Sequence, residues 1–280
     1  MTTLSQKNLL TLAQENEANG KLDLAIQNVE EALRIGSNTE IVLHLCDLYL
    51  KADQAYYAYS LIKEEKDLFS DDEIFFAYSR VLQANHFLIE ALEIKKLSKG
   101  EKEVEVLPAS ISEQQATMEK FRLSKNPTKY EYDQLFTLDL INFTNFAQSL
   151  LLDPSLSFAV RLVLCEDLFR LGINESFDVL VLGKREKFIP NQINLLEKDP
   201  VYREVVSAIG SRYYHRPSQL PAVLGEVNLI LGSLYPKLSK YVEEPDSFAS
   251  DIASYIDFQD GRSHHDLFRQ IDHDLPKYFR

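Results

Sequence analysis

Three alanines, Ala25, Ala58 and Ala91, stand 33 residues apart, twice in succession. A second track keeps the same step with Gly20, Asp53 and His86. A third holds small residues, Ala13, Cys46 and Ser79. Self-similarity at this period marks stacked helix-turn-helix units, each burying its apolar face on its neighbours. With the alanines in the second helix of each unit, first helices are expected over 6–18, 39–51 and 72–84, and second helices over 22–34, 55–67 and 88–98. Apolar residues then recur at helical spacing in the first helices: Leu9 with Leu12, Val42 with Leu45 and Tyr49, Phe75 with Tyr78 and Leu82. In the second helices, Leu22, Ala25, Ile26, Val29 and Leu33 form one stripe, and Ala55, Ala58, Tyr59 and Ile62 the next. The small residues have a steric reason. Antiparallel helices about 8–10 Å apart leave no room for a long side chain at closest approach.

This pattern resembles the tetratricopeptide repeat. That motif has a small residue at its eighth position, a turn residue at its fifteenth and alanine at its twentieth. Here these are Ala13, Gly20 and Ala25, then Cys46, Asp53 and Ala58, then Ser79, His86 and Ala91. Ala25-Ile26 followed by Glu31-Ala32-Leu33 matches the usual ending of such a repeat. The motif's first-helix aromatic is present only as Tyr49, and its terminal proline is replaced by Ser37 and Ser70. The resemblance implies an all-α fold: a superhelix of three repeats (6–38, 39–71 and 72–98) within domain 1–98. It also implies a protein- or peptide-binding role.

After the repeats, residues 99–127 read as a linker with a short helix. The run Lys99 to Ile111 is charged, contains Gly100 and Pro108, and alternates at Val104 and Val106, as a linker or a short strand would. Ser112 to Gln115 reads as a capping box opening a helix to Leu123. A helical C-terminal domain, 128–280, follows. One helix is expected over 129–151. A second opens at Asp153-Pro154 and ends at Gly172. Residues 176–190 alternate as a β-hairpin, with Gly183-Lys184 as its turn and helices or Val104–Val106 as its support. Helices resume over 200–213, 218–234, 246–257 and 263–274, the last stopped by Pro276. The order of apolar helix, hairpin with a Phe188-Ile189-Pro190 exit, Asp199-Pro200 and a helix ending Leu234-Tyr235-Pro236 resembles the C-terminal part of small tetratricopeptide-repeat proteins of low-GC Gram-positive bacteria. That resemblance implies an interaction protein.

The formal net charge is −13 over 280 residues. An acidic chain is repelled by phosphate backbones and anionic lipids, which argues against nucleic-acid or membrane partners. There are two cysteines, Cys46 and Cys165, and no disulfide framework. No signal-peptide core or bilayer-length apolar run is seen, so a cytoplasmic location is expected. No phosphate-binding loop, nucleophile elbow or His-Glu-x-x-His motif appears, and no cofactor is implied. Two clusters remain. His264, His265, Asp272 and His273 are candidate ligands for a divalent metal, against the plainer reading of a polar tail helix. Lys184, Arg185 and Lys187 on the hairpin read as exposed turn charges.

The concave side of the repeats is expected to carry Leu10, Gln14 and Glu17 from the first unit. Leu43, Asp47, Leu50 and Lys51 come from the second, and Phe76, Arg80 and Gln83 from the third. The apolar row Leu10, Leu43 and Phe76 suits a helix or extended peptide laid in a groove. Where the family's groove for C-terminal carboxylates has lysine and asparagine, this chain has Gln14, Asp47 and Arg80 at the ninth positions and departs from it. The later apolar helices are the alternative occupant, with Leu43 and Phe76 then part of the core. The expected function is a non-catalytic adaptor or scaffold, with a homodimer compatible. Its rivals are a peptide-sensing regulator and a metal-dependent enzyme built on the histidine tail.

Overall fold

The computed structural model describes residues 3–274. Among them are fifteen α-helices and one two-stranded antiparallel sheet. The chain forms two compact units. The first runs to Gln114 and also takes Gln134–Asp139; the second is Gln115–Asp133 with Leu140 onward. The segment expected as a linker, 99–127, is thus divided between them.

The first unit begins with three helix pairs. They are α1 (Leu4–Ala18) with α2 (Leu22–Ile35), α3 (Thr39–Lys51) with α4 (Ala55–Ile62), and α5 (Asp72–Asn85) with α6 (Leu88–Leu97). Ala25, Ala58 and Ala91 are 0%, 0% and 2% exposed, so the alanine track is the close-packed seam. The turn track is conformational. Gly20, Asp53 and His86 all take left-handed backbone, at φ 71°, 58° and 57°. Glycine adopts it freely, and aspartate and histidine are among the side chains that tolerate it best. The first helices of all three pairs are capped by side chains: Thr3 accepts from Gln6 N, Asn38 from Ile41 N, and Asp71 from Glu73 N and Ile74 N. The second helix expected to reach residue 67 stops at Ile62, and Leu68 is buried in the turns that follow. Leu12, placed in the core by its spacing, is 47% exposed, while Leu45 and Tyr78 on α3 and α5 are buried. A preceding helix pair covers the latter two, and none among the described residues covers α1.

The third pair is closed off by extended chain. Val104 and Val106 are buried while Glu103, Glu105 and Leu107 are exposed. Gln83 Nε2 donates to Glu105 O (3.1 Å) and His86 Nδ1 to Leu107 O (3.0 Å), and Lys102 Nζ lies 4.2 Å from the centre of the Phe75 ring. Five extended steps of about 3.3 Å cover the length of eleven helical steps of about 1.5 Å, so 102–107 runs beside the chain from Phe75 to His86. A 3-10 turn, Gln134–Thr137, returns to complete this end. Its Phe136 ring packs edge-on to Phe87 at 6.0 Å, and Thr137 O accepts from Ala109 N.

The second unit contains α7 (Ile111–Leu123) from Gln115 onward, α8 (Lys129–Asp133), α9 (Leu140–Leu151) and α10 (Phe158–Arg170). The single helix expected over 129–151 is broken by the 3-10 turn. The capping box of α7 is Ser110 with Glu113, two residues earlier than expected. Asp153 does not cap α10. It accepts from Ser155 N in a turn of its own, and Ser157 caps instead, accepting from Val160 N. Gly172 ends α10 as expected, with φ 66°.

The hairpin pairs β1 (Phe177–Val181) with β2 (Lys184–Phe188), Val181 opposite Lys184. Its turn is therefore Leu182-Gly183, at φ 50° and 73°, not Gly183-Lys184. Both positive angles match the handed twist of the strands. A leucine in that conformation costs about 1–2 kcal/mol. Burial of its side chain to 9% exposure offsets this, and Leu182 O accepts from Gln270 Nε2. The sheet has these two strands alone among the described residues, so Val104–Val106 does not join it.

The remaining helices are α11 (Pro200–Arg212), α12 (Leu220–Leu234), α13 (Leu238–Tyr241), α14 (Pro245–Phe258) and α15 (His265–Asp274). Asp199 caps α11, with proline at the first helical position. Pro276 lies outside the described residues. Gly210 and Gly225 lie inside α11 and α12, and a Cβ at either meets nothing within 4 Å. Gly210→Ala and Gly225→Ala are each expected to raise stability by about 0.5–1 kcal/mol, read as a higher urea midpoint at unchanged m-value.

Candidate functional site

The first-helix face of the repeat unit combines an apolar row with paired charges. Phe76 is 66% exposed, and Leu10, Leu43 and Leu50 are half-buried. None of the four is core. Phe76 is held up by its helix, with neighbours Ile74 and Tyr78 turned inward and buried. The charged residues of this face pair with one another. Arg80 donates to Asp47 at 2.6 Å, and Lys51 to Glu17 at 2.5 Å, with His44 Nε2 at 3.6 Å from the same carboxylate. The hydrogen bond from Lys51 holds the Glu17 carboxyl below its usual range. Each pair joins one repeat to the next. Asp47 and Arg80 are both 43% exposed, so their pair is worth about 0.2–1 kcal/mol. Gln83 is committed to Glu105 O. Gln14 is exposed. The face is an apolar row between inter-repeat ion pairs. Opposite charges one repeat apart on one face were the available signal for that pairing.

Sequence reasoning did not foresee a buried polar cluster behind this face. Glu90, 5% exposed at the start of α6, accepts from Tyr59 Oη at 2.5 Å, from Tyr78 Oη and from Lys63 Nζ. Burial, reinforced by the Glu90 carboxylate, pushes the Tyr78 phenol well above its usual value, so it stays a donor. The cluster ties α4 and α5 to α6.

The C-terminal candidates do not converge. Among the described residues no group of three or more His, Cys, Asp or Glu is placed to hold a metal ion. His264 Nδ1 donates to Asp251 Oδ2 at 2.8 Å, and Ser263 Oγ donates to the same oxygen at 2.6 Å. Serine and carboxylate thus share one ring nitrogen's side, unlike a relay in which the hydroxyl faces the far nitrogen. Burial works to raise the Asp251 carboxyl, but these bonds and Arg262 outweigh it and hold it low. His265 Nδ1 accepts from Gly261 N, Asp272 accepts from Tyr255 Oη, and His273 lies beside Asp274. The bonds to Asp251 and from Tyr255 fasten α15 and the turn before it to α14.

The other chemistry-bearing groups are enclosed in the packing. Cys46 is 1% exposed, and burial pushes its thiol up to about 12; burial likewise raises Cys165, which is fully enclosed. Asp167, 1% exposed, accepts from Tyr132 Oη and Arg170, both at 2.6 Å, and burial raises it to about 6. A cavity of about 130 Å³ lies beside the hairpin tip, lined by Phe158, Leu180, Leu182 and Ile271. Arg161 borders it and donates to Leu180 O and Ser233 O, each at 2.7 Å. Among the described residues no helix is long and apolar enough to cross a membrane. Compared with family models, curated proteins and solved structures, the chain matches none.

Proposed function

We propose that this chain is a non-catalytic protein- or peptide-binding adaptor of the tetratricopeptide-repeat kind, engaging its partner on the face of α1, α3 and α5. The observation that carries this reading is Phe76. A large aromatic side chain, 66% exposed, stands in line with half-buried Leu10 and Leu43 at one-repeat intervals. Aromatic anchors of this kind supply most of the energy in protein interfaces, and surrounding polar groups set register. The Glu17–Lys51 and Asp47–Arg80 pairs support the same reading, because they hold the three first helices in fixed relation before any partner arrives.

The test is partner capture with the tethered full chain beside Phe76→Glu. An exposed substitution leaves stability within about 0.5 kcal/mol, so circular dichroism and the urea midpoint should not move. Retention of the specific partner is expected to fall more than tenfold. Equal retention by the folded variant would overturn the assignment to this face.

A further inference from the structure

The two edges of the hairpin are treated differently by the rest of the second unit. On β1, Asp178 N donates to Gln148 Oε1 (3.0 Å) and Gln148 Nε2 donates to Asp178 O (2.9 Å). Next along, Leu180 O accepts from Arg161. A glutamine amide and a guanidinium therefore stand where a neighbouring strand would. These bonds also fix which main-chain groups face outward. In an antiparallel pair, residues whose N–H and C=O point away from each other sit opposite one another. Asp178 lies opposite Lys187, and Leu180 opposite Arg185. The N–H and C=O of Arg185 and Lys187 thus point out from β2. Among the described residues nothing bonds to them.

The charge on this edge runs against the chain. Lys184, Arg185 and Lys187 are all exposed, in a protein of net charge −13. Arg185 is held across the hairpin by Asp178 at 2.6 Å, which keeps its side chain over the strand face and off the edge. Lys184 and Lys187 make no ion pair among the described residues. Lysines on an edge strand guard it against pairing with a copy of itself, since two such strands bring like charges together. The same lysines attract a strand of opposite charge.

We propose that the β2 edge is a second binding site, which takes an acidic extended peptide as a third strand. The main chain of Arg185 and Lys187 supplies the ladder hydrogen bonds, and Lys187 selects acidic side chains along its own face of the sheet, with Lys184 adding positive charge at the turn end of the opposite face. This site is independent of the repeat face.

The probe is a blocked nonapeptide alternating glutamate and valine, titrated into the isotope-labelled full chain and followed by backbone amide NMR. Saturable shifts are expected at Arg185 to Phe188, weakened at least tenfold between 50 and 500 mM salt. Lys187→Pro removes one outward N–H at an edge position that tolerates proline, and is expected to abolish binding. Lys184→Glu with Lys187→Glu is expected to weaken it at least tenfold, and this pair decides the matter if the proline variant loses the hairpin. The same peptide with lysine for glutamate should not bind. Absence of saturable shifts, equal binding of the lysine peptide, shifts that persist in folded Lys187→Pro, or concentration-dependent pairing of the chain with itself through β2 would each overturn the proposal.

Discussion

Glu90→Ala is expected to cost the first unit about 3–5 kcal/mol, the range for removing one partner of a buried ionic cluster. The arithmetic is mostly that of the phenols. Tyr59 and Tyr78 are 2% and 0% exposed, and both donate to Glu90. With the carboxylate gone, two buried hydroxyls lose their acceptor at about 1–3 kcal/mol each. Lys63 contributes less, because its side chain is 36% exposed and its ammonium can turn to water. Glu90→Gln keeps the shape and one acceptor oxygen, and is expected to cost less than half as much. Tyr78→Phe in the alanine background should recover part of the loss, since it removes a stranded donor. Urea unfolding followed by circular dichroism measures all of these. An alanine variant within about 1 kcal/mol of the parent, an ordinary surface-like effect, would show that the cluster is not the lock described here.

Gly261→Ala is expected to be the most disruptive single-carbon change in the second unit. A Cβ there would stand 2.6 Å from His265 Cα and 2.7 Å from Phe268 Cδ2. The first contact is with backbone at the start of α15, so no rotamer relieves it. The helix must move, and with it Phe268 and Ile271, which are 0% and 1% exposed. Overpacking of this kind costs about 1–3 kcal/mol, and the shift also breaks the Gly261 N to His265 bond. Gly225→Ala is the internal control, the same added carbon in open space with the opposite expected sign. A Gly261→Ala chain as stable as the parent would mean that α15 is free to shift, and would refute the packing of this corner.

The repeat was legible because two physical demands recur every 33 residues. A close helix crossing selects Ala25, Ala58 and Ala91, and a left-handed turn selects Gly20, Asp53 and His86. The apolar row Leu10, Leu43 and Phe76 followed from the same register. What periodicity does not encode is which body an apolar residue packs on. Leu135, Phe136 and Leu138 read as the buried faces of one long helix, yet they leave it and complete the first unit. The α7 cap shows a second limit. Ser110 with Glu113 and Ser112 with Gln115 both satisfy the spacing, and the structure uses the former. Glu90 was hidden for a third reason. An acid in the first turn of a helix ordinarily faces water and favours the helix dipole, so nothing in the chain marks this one as enclosed. The Leu182-Gly183 turn depends on burial of Leu182, which turn propensity alone does not include.

The division of the chain has a consequence for its synthesis. The repeat unit needs Gln134–Asp139, although its continuous part ends at Gln114. A nascent chain that has emerged as far as α6 has all three helix pairs but not the residues that finish their far end. At about 5–20 residues per second, the 42 residues from Leu97 to Asp139 keep that end open for about 2–8 s. During that interval Phe87 and the seam beside it lack the cover of Phe136, so the repeat unit's moment of greatest aggregation risk falls before residues 134–139 emerge.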